Sequence, residues 1–124
     1  MKKIETQNAP GAIGPYSQAV QAGNFLFTSG QIALDPSTGL VSDHTIEGQT
    51  KQVMHNLGAI LNAAGVDFSD VVKTTCFLAD MGDFAAFNEI YAASFTQKPA
   101  RSCVAVKTLP KNVLCEVEAI AFIK

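Results

Sequence analysis

No two cysteines stand at C-x-x-C spacing in this 124-residue sequence, and their number is odd: Cys76, Cys103 and Cys115. The pattern excludes the usual zinc-ligand arrangement, so no metal site is expected. All three fall in apolar, strand-like runs, which predicts reduced, buried thiols in a cytoplasmic protein. Cations are also few. Nine Lys and Arg stand against eleven Asp and Glu, with no basic run beyond Lys2-Lys3. Phosphate backbones need clustered cations, so nucleic acid is not an expected partner. No apolar run reaches membrane-spanning length, and MKKIETQ lacks an apolar segment after its lysines. Neither a membrane span nor a signal peptide is therefore expected. P-loop and G-x-G-x-x-G patterns are absent. Only His44 and His55 are available as a base for a Cys103 nucleophile. Neither has a local partner and both read as solvent-facing, so a Cys-His enzyme is weakly supported.

What is present is a globular composition, 48% hydrophobic and 16% charged. No linker or repeat divides the chain, and residues 1–124 read as a single domain. The low charge density suits a chain that buries part of its surface in an oligomer. Asn8–Tyr16 (NAPGAIGPY) is an irregular arm. Ser17–Gln21 and Phe25–Ile32 read as strands around a turn at Ala22-Gly23-Asn24, and Asp35–Gly39 is turn chemistry. From Thr45 to Ala64 the apolar period becomes that of a one-faced helix, ended by Gly65. Val71–Ala79 is a strand. Asp83 is expected to cap a second helix with Phe84, Phe87, Ile90, Tyr91 and Phe95 on one stripe. Ser102–Lys107 and Leu114–Ile123 are the last strands, read as a hairpin joined around Leu109–Asn112. The order predicts an α+β fold, a mixed β-sheet with two helices on one face. Along the last strand Glu116, Glu118, Ile120 and Phe122 share one face; Cys115, Val117, Ala119, Ala121 and Ile123 share the other. Both faces carry apolar side chains, so the uncovered one predicts a homo-oligomer.

The stretch KPARSCVAV opens a small, apolar run that reads as a buried strand, yet Arg101 stands at its mouth. Two readings fit it: a surface residue with its head in water, or a fork of donors held for an anion. Glu116 and Glu118 sit mid-strand beside Ile120 and Phe122, where a carboxylate is costly unless paired or at a wet cleft. For Glu118 simple solvation fits equally well. A hairpin between the last two strands would bring Arg101 and Glu116 together near one sheet end, where they would bind a carboxylate and place a water. Tyr16 ends the arm, either as a hydroxyl in such a pocket or as a packed aromatic. Ser29-Gly30-Gln31 interrupts an apolar strand, which marks a plain bulge or a close approach.

IGPYSQAV, FTSGQI, VVKTTCFLADMGDFAAFNEIYAASF, PARSCVAV and LPKNVLCEVEAIA, in that order, resemble the Rid (YjgF) family of reactive-intermediate deaminases, most closely its RidA branch. The resemblance implies a chorismate-mutase-like homotrimer with three clefts between subunits. It implies hydrolysis of 2-imino acids, such as 2-iminobutanoate and 2-iminopropanoate, to 2-oxo acids and ammonia. These imines and their enamine tautomers arise from pyridoxal-phosphate-dependent dehydratases. No metal and no organic cofactor is implied. By resemblance Arg101 binds the substrate carboxylate, the Cys103 backbone carbonyl contacts the imine nitrogen, and Glu116 positions the water. Tyr16 stands at the cleft, Ser29 and Gly30 line it, and Asn88 supports it as a substrate-binding residue. Some relatives are reported as sensors or endoribonucleases, which leaves a non-catalytic sensor of small 2-oxo carboxylates or an interaction protein as the alternative, and an endoribonuclease as a third reading that the acidic balance and the lack of a paired histidine site disfavour. The segment Phe95–Pro99 is shorter than in many relatives, which bears on substrate preference.

Overall fold

The period-2 runs form strands and the two period-3.6 runs form helices, in a computed structural model that describes residues 1–124. The order is β1 (Lys2–Ile4), β2 (Ala19–Ala22), β3 (Phe25–Thr28), α1 (Ile46–Ala63), β4 (Val71–Leu78), α2 (Phe84–Ser94), β5 (Ala100–Ala105) and β6 (Cys115–Phe122). The strands make one sheet in the order β1-β2-β3-β6-β4-β5. Only β4 and β5 are parallel, because α2 forms the crossover between them. The chain is α+β, as its sequence pattern predicts, with both helices on one face. The short β1 was not anticipated; it pairs with β2 through Lys2–Gln21 to Ile4–Ala19.

Thr45 starts α1 by accepting from the Gly48 N–H, and the chain leaves it through Gly65 in the left-handed region, φ 80°. Its Val53, Leu57, Ile60 and Leu61 pack with Phe87 and Tyr91 of α2 onto the Cys115, Val117, Ala119 and Ala121 face of β6. Asp83 does precede α2, but its side chain makes no capping bond. The cap there is Asp80, which accepts from the Gly82 N–H at 2.7 Å and closes the short turn before the helix.

The other face of the sheet is bare. Phe25, Phe27 and Phe122 remain 42%, 42% and 38% exposed, and Phe25 meets Phe122 edge-on at 5.5 Å. Apolar surface of that kind on the two-sided strand pattern is what an association face looks like.

Two further sequence expectations are corrected. The run at Ser102 is not a buried strand. β5 is an edge strand, and all its residues but Cys103 are exposed. Nor does β5 form a hairpin with β6, because β4 lies between them. The connection from Val106 to Leu114 is longer than a hairpin loop. It turns at Lys111 and Asn112, both left-handed (φ 55° and 54°), and delivers β6 to the far edge of β4.

Candidate active site

The predicted residues form two groups on opposite faces of the sheet. The first group is built on the open edge. Thr74 of β4 is fully buried against the helices, and Arg101 is its register partner, so Arg101 projects on the helix side. There α2 presents Phe84, Asn88 and Tyr91, spaced four and three residues apart on one helical face. The Arg101 Nη1 donates to Asn88 Oδ1 at 2.6 Å, and its Cζ lies 4.9 Å from the Tyr91 ring centroid and 5.4 Å from that of Phe84. The cation is thus held on one edge and lies within cation–π reach of two rings, while its other N–H donors remain free. A hollow of about 310 Å³ opens beside it, lined also by Phe95, Lys98 and Pro99.

Cys103 lies two residues along the same edge. The Val106 N–H bonds the Leu78 carbonyl of β4. Backbone groups alternate along a strand, so those of Ser102 and Val104 also point to β4. Those of Arg101, Cys103 and Ala105 point out of the sheet, where no strand follows. The Cys103 carbonyl is therefore an open acceptor. Its thiol is half-buried, with a pKa pushed up by burial and only partly offset by Arg101. Cys76 and Cys115 are buried as predicted, with pKa values pushed up to about 12 and about 11 by burial. A reactive thiolate is not what any of these environments favours.

The second group surrounds Glu116 in a cavity of about 560 Å³ that Tyr16, Ser29, Gly30 and Gln31 also line. Glu116 sits on the bare face, half-buried. Burial, and secondarily the like charge of Glu118, raises its pKa. Glu118 itself is exposed, in line with the solvated reading. Gly30 is a close approach: a Cβ there would collide with Glu116 Oε2. Gln31 then rejoins the sheet by exchanging two backbone bonds with Val117, at 2.9 and 3.1 Å. The Ser29 hydroxyl donates to the Ser17 carbonyl at 2.6 Å, so it holds the arm in place and keeps only acceptor capacity toward the cavity. Tyr16 is 53% exposed at the mouth, not packed.

Arg101 and Glu116 do not meet within one chain. Their register partners on β4 are Thr74 and Phe77, and β4 separates their strands. That sets them roughly 10 Å apart along the strands and roughly 10 Å across, on opposite faces. The structure unites Arg101 with Asn88, and Glu116 with Tyr16, Ser29 and Gly30. His44 and His55 are exposed and belong to neither group. His55 lines a larger hollow of about 790 Å³ along α1 that holds none of the predicted residues.

Residues 6–123 match the family described as Endoribonuclease L-PSP, the Rid (YjgF) family. The chain belongs to this family. It is 57% identical over 96% of its length to a RutC family protein of Pyrococcus horikoshii, of which it covers 95%. It is 51% identical over 97% of its length to the 2-iminobutanoate/2-iminopropanoate deaminase of Salmonella typhimurium, covering 96% of that protein. Its fold overlays the crystal structure of a putative endoribonuclease from Thermotoga maritima, with TM-score 0.97, 51% identity, and 100% and 98% of the two chains covered.

Several residues that shape this Rid-family site gave no sequence signal. Gln18, 4% exposed, accepts from the Thr6 N–H at 2.7 Å and donates to the Pro10 carbonyl at 2.8 Å and the Thr6 carbonyl at 3.0 Å. It pins the arm that carries Tyr16. Asn56, fully buried in α1, donates to the carbonyls of Ile32 and Leu34 and fixes the segment after Gly30. A lone amide within a strand or helix looks like any surface residue until its partners, many residues away, are known. Phe84 and Tyr91 were visible as a helical stripe, but only their contact with Arg101 gives them a part in the site.

Proposed function

We propose that this chain is a hydrolytic deaminase of small 2-imino acids, 2-iminobutanoate and 2-iminopropanoate among them. The observation that carries the reading is the open edge of β5. A guanidinium with free donors and an outward carbonyl stand two residues apart, at Arg101 and Cys103. A 2-imino acid offers the complementary pair on adjacent carbons: a carboxylate for the fork and an imine N–H for the carbonyl. A 2-oxo acid offers only the first. The deaminase name of the Salmonella relative supports the same class.

In this reading, water adds to the imine carbon and gives up a proton to the Glu116 carboxylate. Glu116 returns that proton to the amino nitrogen of the carbinolamine and takes up the hydroxyl proton as the C=O bond forms and the C–N bond breaks, its electron pair leaving with ammonia. The 2-oxo acid remains. A protonated imine is already strongly electrophilic, so holding the acid and aiming a water suffices. The opposite placement of Arg101 and Glu116 requires that each cleft take Arg101 from one copy and Glu116 from the next. A homotrimer meets this need and covers the exposed Phe25, Phe27 and Phe122. Three unpaired thiols fit a reducing compartment, the cytoplasm. Nucleic acid stays outside the reading, because the chain is net acidic and both histidines lie away from the two groups.

The test is an assay in which a threonine dehydratase generates 2-iminobutanoate and semicarbazide traps it. The expected result is less trapped imine and faster 2-oxobutanoate. Arg101→Ala and Glu116→Gln chains should each be inactive, yet recover part of the activity when refolded together, since mixed trimers contain some intact clefts. Binding of 2-oxobutanoate without any acceleration would replace the deaminase by a sensor. Failure of the mixed chains to recover would overturn the pairing of Arg101 and Glu116 in one cleft.

Gly30→Ala offers a second check. The clashing atom is the free end of the Glu116 side chain, so the variant should fold normally. Its displaced carboxylate should lower kcat by about tenfold to a hundredfold. A kcat within twofold of the parent would show that the Glu116 position is not critical.

A further inference from the structure

Tyr91 is 7% exposed and its ring packs against the tilted rings of Phe87 at 5.7 Å and Phe95 at 4.5 Å. Seen only from the core it is a packed aromatic. Its hydroxyl, however, makes a buried 2.6 Å bond with Thr74 Oγ1, and its ring lies under the Arg101 guanidinium, 4.9 Å away. Thr74 is fully buried, and it is the β4 residue paired in register with Arg101. The three residues therefore close a loop across two strands and a helix. The strand that carries the cation also anchors, through Thr74, the ring on which the cation rests.

We propose that the Thr74–Tyr91 pair is a positioning device for Arg101, fixing the plane and height of its fork at the strand edge. This rests on the reading of Arg101 as the carboxylate clamp. An exposed arginine on an edge strand has many rotamers of similar energy, and freezing them on binding weakens affinity. Asn88 restrains one corner of the guanidinium, and a stack restrains its plane. A stack that could rock would restrain it poorly. The hydroxyl bond removes that rocking, because the ring is held at its far end as well as by its packing against Phe87 and Phe95. Neither Thr74 nor Tyr91 touches substrate in this account; both act through Arg101.

A carboxylate clamp holds substrate and transition state alike, so loosening it should raise KM and leave kcat nearly unchanged. Tyr91→Phe and Thr74→Val are each expected to raise the KM for 2-iminobutanoate and the Kd for 2-oxobutanoate by about three- to tenfold, the range of a cation–π restraint. Thr74→Ser keeps the hydroxyl and should keep both constants. Tyr91→Phe leaves the Thr74 hydroxyl only the weak 3.9 Å contact from Cys76 Sγ, and Thr74→Val strands the Tyr91 hydroxyl, so each single variant should also lower Tm, the second by more. The double variant Tyr91→Phe with Thr74→Val strands no hydroxyl and costs only the weak Cys76 thiol contact, so its Tm should return toward the parent value while its KM stays high. That separation is the decisive readout. A double variant with parental Tm and parental KM would overturn the proposal and leave the pair purely structural. KM within twofold of the parent in every variant would do the same. Arg101→Ala is run alongside. If it too binds 2-oxobutanoate normally, the clamp reading itself falls; if it alone loses binding, the clamp stands without its positioning pair.

Discussion

Arg101→Lys is expected to lower kcat/KM about tenfold to a hundredfold, mostly through KM. The ammonium keeps the charge but gives up the planar fork. It cannot lie flat on Tyr91 and Phe84 while its second edge meets a carboxylate, and the 2.6 Å bond to Asn88 would have to be rebuilt at another reach. Loss of one charge-assisted hydrogen bond corresponds to about 1.5–3 kcal/mol, which sets the range. Stability should hardly change, since Arg101 is exposed and a surface substitution typically falls within about 0.5 kcal/mol. Steady-state kinetics on dehydratase-generated imine, with Tm measured in parallel, gives both values. A rate within twofold of the parent would mean that charge alone serves and that the fork has no special part.

The two halves of the site were unequally legible in the sequence, and the reasons are physical. Glu116 stood out because a carboxylate amid Ile120 and Phe122 on a period-2 strand is expensive unless something uses it. Its raised pKa shows that the expense is present. Gly30 stood out as a glycine inside a strand, but its neighbour could not be named, because Glu116 reaches it from β6 at the other end of the chain. Arg101 was legible as an anomaly, yet its setting was misread twice. The apolar run after it looks buried because it is an edge that another copy covers in the trimeric reading, and a strand buried by a partner has the composition of one buried by its own chain. The Leu109–Asn112 segment has turn chemistry, but turn residues do not say which strands they join. The α2 crossover places β5 on the outer edge of β4, which forbids the hairpin. The separation of Arg101 from Glu116 follows from that one topological fact, and it is the reason the proposed function draws the two from different copies.

Glu116→Gln should remove turnover while sparing both the fold and the binding of product. The amide keeps the shape and can still hold a water, but it cannot accept that water's proton as it attacks. General-base removal of this kind lowers kcat by about a hundredfold or more, down to the rate of imine hydrolysis in water. Binding of 2-oxobutanoate, which depends on Arg101, should persist. Stability should shift in the opposite sense to activity. Burial and Glu118 disfavour the charged form of Glu116 in the folded state, so its pKa lies above the unfolded value. Its contribution to stability is then fully present below the unfolded pKa and is lost as the pH rises through the folded one. At neutral pH the parent carries this penalty and the glutamine variant does not. Glu116→Gln should therefore match or exceed the parent in Tm at neutral pH, with the advantage vanishing on acidification. The same upward shift should displace the acid limb of the parent's kcat/KM to higher pH, and Glu118→Gln, by removing the like charge, should move that limb back to lower pH. If Glu116→Gln turned over substrate at the parent rate, the water would be activated by another group. If it lost turnover together with product binding, Glu116 would belong to the carboxylate site and the division of labour between the two faces of the sheet would be wrong.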